Sequence, residues 1–416
     1  MFPGLQRRSA AIFVALLTTV ACLASSQEQS LASTSIDPPA PAGSTLPALA
    51  VEGPTTLNRE HEILMTWLEP GEPGGRLRFA RLSGGTWGPP VTIAEQVSTL
   101  DPADAPSLTV IETRGVRRTL IARTGDVVAR SGDGGRSWTR LPGPLLPFAS
   151  FAGGEEGGFA FWLGSAEGGS AKLLGTRVLA GETTLDPRVA AGSGTSAAMT
   201  WDGPVVVYQD LGAGNERAIA VVGRQDARWT DPRPVHDEEW RPAEKPESGL
   251  HVTAERRQVA VAWLAGTSRG PRLVVAFSGD AGRTFGAPVE VDATENSPVG
   301  PVAVDLDDDG HALLLWTADT RAAEAALHLA RVSPDGRQGE ALVLAKGSSA
   351  TSMGTPQIAR AGGQVAVTWL EAAAGGVPGR VRVVAVPLAA IPPLRSPRPV
   401  QEARAKGAPE VYTGRG

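Results

Sequence analysis

The chain has 416 residues, enough for two or three domains or for one large all-β ring. Its 50 Gly and 34 Pro exclude a mainly helical protein, and 42% hydrophobic against 20% charged residues exclude global disorder. A net charge of −5 excludes a general nucleic-acid binder, which needs a basic surface to neutralise phosphate.

Residues 1–21 read as an export signal, with Arg7 and Arg8 ahead of an apolar run from Ala10 to Val20. That run is short for a membrane span, and no later run reaches the ~18 apolar residues that a span needs. Cys22, the single cysteine, follows Thr19-Val20-Ala21. The string is similar to a bacterial lipoprotein cleavage box, which would make Cys22 the lipidated first residue of the mature chain. Thr19 stands where Leu is usual, so an ordinary signal cleaved after Ala24 is the alternative. The first reading gives a membrane-anchored lipoprotein of the cell envelope, the second a secreted or periplasmic protein. Membrane contact is then expected only through an N-terminal lipid. Residues 22–45 are expected to form the anchor and a flexible tether, and no disulfide supports the mature fold.

From about residue 46 to 402 the chain repeats itself. A short apolar run ending in an aromatic recurs at Trp67, Trp162, Tyr208, Trp263, Trp316 and Trp369, with Arg123 in the aromatic's place in a second unit. The period is about 50 residues. Each run is preceded by a short strand and a tight turn, such as Trp201-Asp202-Gly203 or Asp307-Asp308-Asp309-Gly310. A third β-rich run and a Pro-Val strand follow. Runs apolar on both faces suit sheets that are covered on both sides. The pattern predicts an all-β, seven-bladed β-propeller of four-stranded antiparallel blades, with a six-bladed ring as runner-up if the weak second unit is an insertion. Ser396–Val400 echoes Asp231–Val235 and is a candidate outer strand for the last blade, and residues 403–416 read as a disordered tail.

Two turns between third and fourth strands carry a sharper motif. They are Ser131-Gly132-Asp133-Gly134-Gly135-Arg136-Ser137-Trp138 and Ser278-Gly279-Asp280-Ala281-Gly282-Arg283-Thr284-Phe285. Both resemble the Asp box, or BNR repeat, of the sialidase-like propellers, with worn copies at Ser83–Trp87 and Asp226–Trp229. The resemblance implies a structural role for Ser131, Asp133, Gly135 and Trp138, and for Ser278, Asp280, Gly282 and Phe285, on the face opposite the active site. It also implies an arginine triad, a Tyr nucleophile with a Glu partner and an Asp acid/base in active members. Here the Arg-Ile-Pro motif is absent, and the two tyrosines are Tyr208, at a core position, and Tyr412, in the tail. The family's catalytic set is therefore not visible.

In a propeller the loops after second strands share one face with the loops between blades. Glu69, Asp210, Asp319 and Glu371 are expected at that mouth, with Arg321 among the few cations there, Arg123 either gripping a ligand or lining a solvated channel, and most other arginines away from it on third strands or Asp-box turns. An acidic bowl suits a cation or a basic partner, a carboxylate pair suits glycoside hydrolysis, and charged rim residues also serve solubility alone. His236 and Asp237 are a weak metal candidate, no zinc spacing exists, and Asp305–Gly310 reads as a plain Asp-Gly turn rather than a calcium loop. No cofactor is expected. The sequence favours a binding module for an envelope or extracellular protein or glycan, without catalysis. The alternative is a sialidase-like glycoside hydrolase with a divergent carboxylate site.

Overall fold

The computed structural model describes residues 33–395 apart from 54–59, 73, 98–105, 114–116, 126, 142–148, 155–156, 167–170, 178–180, 191–193, 212–216, 237–248, 268–269, 292–296, 320–323, 350 and 374–375. The strands are made by the two-sided apolar runs. Glu62–Glu69 and Gln258–Thr267, for example, bury nearly every residue irrespective of the alternation of the pleat. Each run is the second strand of an up-and-down antiparallel sheet, as in the order His251–Glu255, Gln258–Thr267, Gly270–Ser278, Val289–Glu290. The fold is an all-β propeller.

The inner strands pack side by side in a closed circle. Thr45–Glu52 touches Ser107–Thr113, and contacts pass through Ser150–Gly154, Thr195–Thr200, His251–Glu255, Ser297–Leu306 and Gln357–Ala361 back to Thr45–Glu52. The apolar core lies between the sheets. One cluster joins Ala260, Ala262 and Leu264 to Val304, Leu314 and Trp316 of the next sheet. Another joins Ile63, Met65 and Trp67 to Ala366, Val381 and Val383, which closes the last sheet onto the first. The weakest repeat in the sequence, residues 107–140, forms a full four-stranded sheet of its own. One nine-stranded sheet consists of two such units joined by a single residue pair, Val189 opposite Asp210.

The closing strand differs from expectation. The outer position of the last sheet is held by Thr34–Ser35, paired with Val384 and Ala385 of Arg380–Pro387. The Asp37 carboxylate then accepts hydrogen bonds from the Val383 amide at 2.9 Å and from Arg382 Nε at 3.0 Å. Residues 34–45, assigned to a flexible tether by composition, thus belong to the ring. Ser396–Val400 lies outside the described residues, but the chain leading to it pairs Arg395 with Gln338 of the preceding sheet. The signal, Cys22 and residues 403–416 also lie outside the described residues.

The two Ser-x-Asp turns are closed by their own side chains. Asp133 accepts from Ser131 Oγ (2.8 Å), the Ser137 amide (2.9 Å) and Ser137 Oγ (2.6 Å), while Ser131 Oγ accepts the Gly135 amide at 2.8 Å. Asp280 repeats this with Ser278, Thr284 and the Gly282 amide. Hydrogen bonds from Ser137 and Ser131 hold the Asp133 carboxyl down to about 2. A third such turn, Ser333–Arg337, is absent from the sequence reading. There Ser333 Oγ donates to Asp335 and accepts the Arg337 amide at 3.0 Å. Gly135 has φ +87°, and a Cβ there would sit 2.1 Å from Phe79 Cε1 of the neighbouring sheet. Phe79 in turn meets the Trp138 ring edge-on at 5.3 Å. The turn therefore fastens one sheet to the next.

Candidate functional site

Antiparallel hairpins alternate ends, so the second-to-third loops share one face and the Ser-x-Asp turns share the other. The aromatic anchors that precede the mouth face the core: Trp67, Tyr208 and Trp263 are essentially inaccessible, and Trp316, Trp369 and Trp162 are buried. Residues just beyond them reach the rim.

Glu69 is buried, and its carboxylate lies 3.4 Å from both Arg76 and Arg78 and accepts the Trp67 indole N–H at 3.2 Å. Glu371 is exposed and takes 2.8 Å bonds from Arg380 Nε and an Arg382 terminal nitrogen. Those bonds, Arg382 first, hold its carboxyl below the usual range. The pairing follows from register, since Glu69 lies opposite Arg76 and Glu371 opposite Arg380 across their hairpins. The third-strand arginines expected to lie away from the mouth therefore neutralise two of its acids.

Asp319 is exposed at the end of Ala312–Asp319. Arg123 is 4% exposed and pairs across the strands with Ser107 and Val128, so it belongs to the interior and not to an open rim. Arg321 and Asp237 lie outside the described residues. His236 corrects the weak metal reading. Its Nε2 accepts the Ile219 amide at 2.9 Å, and its ring lies 5.5 Å from that of Trp263. A nitrogen lone pair already used by a backbone N–H cannot bind a metal ion. Among the described residues, Asp307, Asp309 and His311 have ligand-type atoms within 4.8 Å of one another. Asp307 is already committed, however. It accepts the Asp309 and His311 amides and lies 3.1 Å from Arg331 Nε, as a charged turn with its own cation.

Asp210 leads to a group that sequence reasoning missed. Tyr208 Oη donates at 2.7 Å to Asp186 on the outer strand Thr183–Val189 of the neighbouring unit, and the Asp186 charge acts on Asp210. Burial first, and then the Asp186 charge, raise the Asp210 carboxyl above its ordinary range, while Arg188 opposes the shift. Burial and Asp186 push the Tyr208 phenol far up, so it stays a protonated donor. The signal was available in the anchor itself. A Tyr in a Trp position carries a buried hydroxyl, which must find an acceptor.

The Asp186–Asp210 seam has a pH signature. A folded-state carboxyl raised above its unfolded value favours the fold at low pH and loses that contribution as pH rises through the folded value. Asp210→Asn imitates the protonated form. Thermal unfolding is expected to show this variant more stable than the parent at neutral pH, with the gap closing towards about pH 4. A gap that is constant with pH would contradict the raised Asp210 carboxyl.

No family model matches the sequence, and no curated protein matches it. Solved structures do match the fold. An ulvan lyase, a polysaccharide lyase, superposes with TM-score 0.56 at 12% identity, over 85% of this chain and 96% of that chain. A protein of unknown function from Dyadobacter fermentans gives TM-score 0.50 at 15% identity, over 85% and 97% of the two chains. A Hadza microbial sialidase, Hz136, gives 0.43 at 14% identity, over 84% and 66%. At these identities the two superpositions at TM-score 0.50 and above show a shared fold alone, which with the strand order above places the chain among the β-propellers.

Proposed function

We propose that the protein is an exported, envelope-associated seven-bladed propeller that binds a glycan, or a protein that presents one, at its mouth and does not cleave it. The observation that carries this reading is the state of the mouth carboxylates. Glu69 and Glu371 are each neutralised by two arginines. Asp186 accepts the Tyr208 hydroxyl at 2.7 Å, and burial with the Asp186 charge raises the Asp210 carboxyl above its ordinary range. Hydrolysis of a glycosidic bond needs two carboxyls about 5–9 Å apart, with the sugar between them. Glu69 and Glu371, each engaged by two arginines, are not free to act as such a pair. Fixed carboxylate–guanidinium pairs instead present hydrogen-bond donors and acceptors at set positions, which suits recognition of hydroxyls. The turns at 131–138 and 278–285 act in this reading as Asp boxes that stiffen the opposite face.

Turnover separates the two function classes. The purified protein is expected to release no product from a panel of fluorogenic glycosides, sialosides included, while retaining immobilised glycans in a binding assay that Asp319→Asn weakens. Product formation that disappears in Asp210→Asn or Asp319→Asn would overturn the non-catalytic reading.

The anchor is proposed on Cys22 and the cleavage box around it. The parent protein is expected in the membrane fraction and Cys22→Ser in the soluble fraction. A parent protein that fractionates as soluble would remove the lipid from the account.

A further inference from the structure

The face opposite the mouth carries an aromatic ring that the fold does not use. Trp201 is 74% exposed, in the turn between Thr195–Thr200 and Gly203–Leu211, and it joins none of the apolar clusters between the sheets. A Trp left in water forgoes the burial that makes this side chain valuable to a core. The first-to-second turns at Glu255–Gln258, Asp307–Gly310 and Ala361–Gly363 hold polar or small residues instead.

The ring stands on a braced platform. The Trp201 amide donates to the Arg256 carbonyl at 2.8 Å, and the Ala281 amide donates to the Arg257 carbonyl at 2.8 Å. Three turns from two neighbouring sheets are thereby tied together, one of them a Ser-x-Asp turn. The Asp202 carboxylate is held from both sides, by Arg257 Nε at 2.9 Å and an Arg283 terminal nitrogen at 2.9 Å. Arg283 Nε also donates to Gln225 at 2.9 Å. Arg256 lies with its guanidinium 5.6 Å from the Trp201 ring centroid, and its nearest carboxylate, Glu255, is 4.0 Å away. Arg256 also has φ +60°, a left-handed conformation that disfavours a non-glycine residue. Backbone strain of this kind gathers where a side chain is needed for something other than the fold.

We propose that Trp201 and Arg256, flanked by Arg257 and Arg283, form a stacking site for an anionic sugar ring on the face opposite the mouth. The apolar face of a pyranose lies on the open side of the indole, and its carboxylate or sulfate pairs with the guanidiniums. Charge favours an anion, because among the described residues these three arginines form ion pairs with two carboxylates, Asp202 and Glu255. Chemistry favours a sugar over a peptide. The ring is a single flat surface among hydrogen-bonding groups, and it joins no apolar cluster among the described residues that could seat a peptide side chain. The site is separate from the mouth and does not depend on what the mouth binds.

Calorimetric titration of the full protein tests this with three probes: a heparin-derived tetrasaccharide, neutral maltotetraose and an octapeptide of Asp and Glu. The acidic tetrasaccharide is expected to bind, more weakly at higher salt, and better than the other two. Trp201→Ala should lose roughly tenfold or more in affinity, while Trp201→Phe keeps a ring and most of the binding. Arg256→Gly should weaken binding and flatten the salt dependence while raising the melting temperature, because glycine relieves the positive φ. Circular dichroism confirms that each variant is folded. Tetrasaccharide affinity unchanged in Trp201→Ala would overturn the proposal and leave a mouth site untouched. Equal binding of maltotetraose, or binding of the acidic peptide alone, would also overturn it.

Discussion

Every sheet in this protein is apolar on both faces, and only a closed ring gives both faces of every sheet a partner. The second strands bury residues on both sides of the pleat, so each sheet needs a neighbour left and right. The cluster containing Trp67 and Val383 satisfies that need at the last join. Short side chains and small residues near the axis let the inner strands approach, and polar groups latch them together. Gln357 accepts the Leu49 amide and donates to the Pro106 carbonyl, Ser196 Oγ accepts the Val252 amide, and Ser150 bonds to Thr195. His251 Nδ1 accepts the Val304 amide, and burial holds its pKa at about 4, so the imidazole is neutral at physiological pH. Asp305, raised by burial, accepts the Arg360 amide at 2.6 Å. Each latch satisfies a backbone or side-chain group that the narrow axis shields from water.

Closure also sets the electrostatics. Once second and third strands are paired in register, carboxylates at second-strand ends lie opposite arginines at third-strand starts, which neutralises Glu69 and Glu371. The mouth is therefore less acidic than a count of its residues implies. The opposite face is stiffened by Ser-x-Asp turns that seal their own amides and pack onto the sheet before them. That rigidity lets an exposed Trp and a strained Arg be held in fixed positions there.

Much of the fold was legible in the sequence because it is periodic. The recurring apolar run with its aromatic gave the strands, and the turns at Asp133 and Asp280 stood out because their geometry requires Ser, Asp and Gly at fixed offsets. Closure by Thr34–Ser35 was hidden because a two-residue edge strand in a Pro- and Ser-rich stretch has no hydrophobic pattern. Ser333–Arg337 was hidden because Pro334 and the missing aromatic blur the motif. The site was much less legible. Glu69, Asp210, Asp319 and Glu371 were placed near strand ends, but whether an acid is open, salt-bridged or raised by a neighbouring charge depends on partners such as Arg382 and Asp186. Asp186 comes from a different repeat unit, and periodicity within one unit cannot reveal such a partner.

The central claim is that the ring is closed by its own N-terminal strand and stands or falls as one body. Native-state hydrogen exchange at the Ile36 amide, which donates to the Val383 carbonyl at 2.9 Å, tests it most directly. If the account holds, this amide exchanges with the same opening free energy as buried second-strand amides such as those of Val261 and Leu314. Fast exchange at Ile36 beside fully protected second strands would show that the ring is held without that strand.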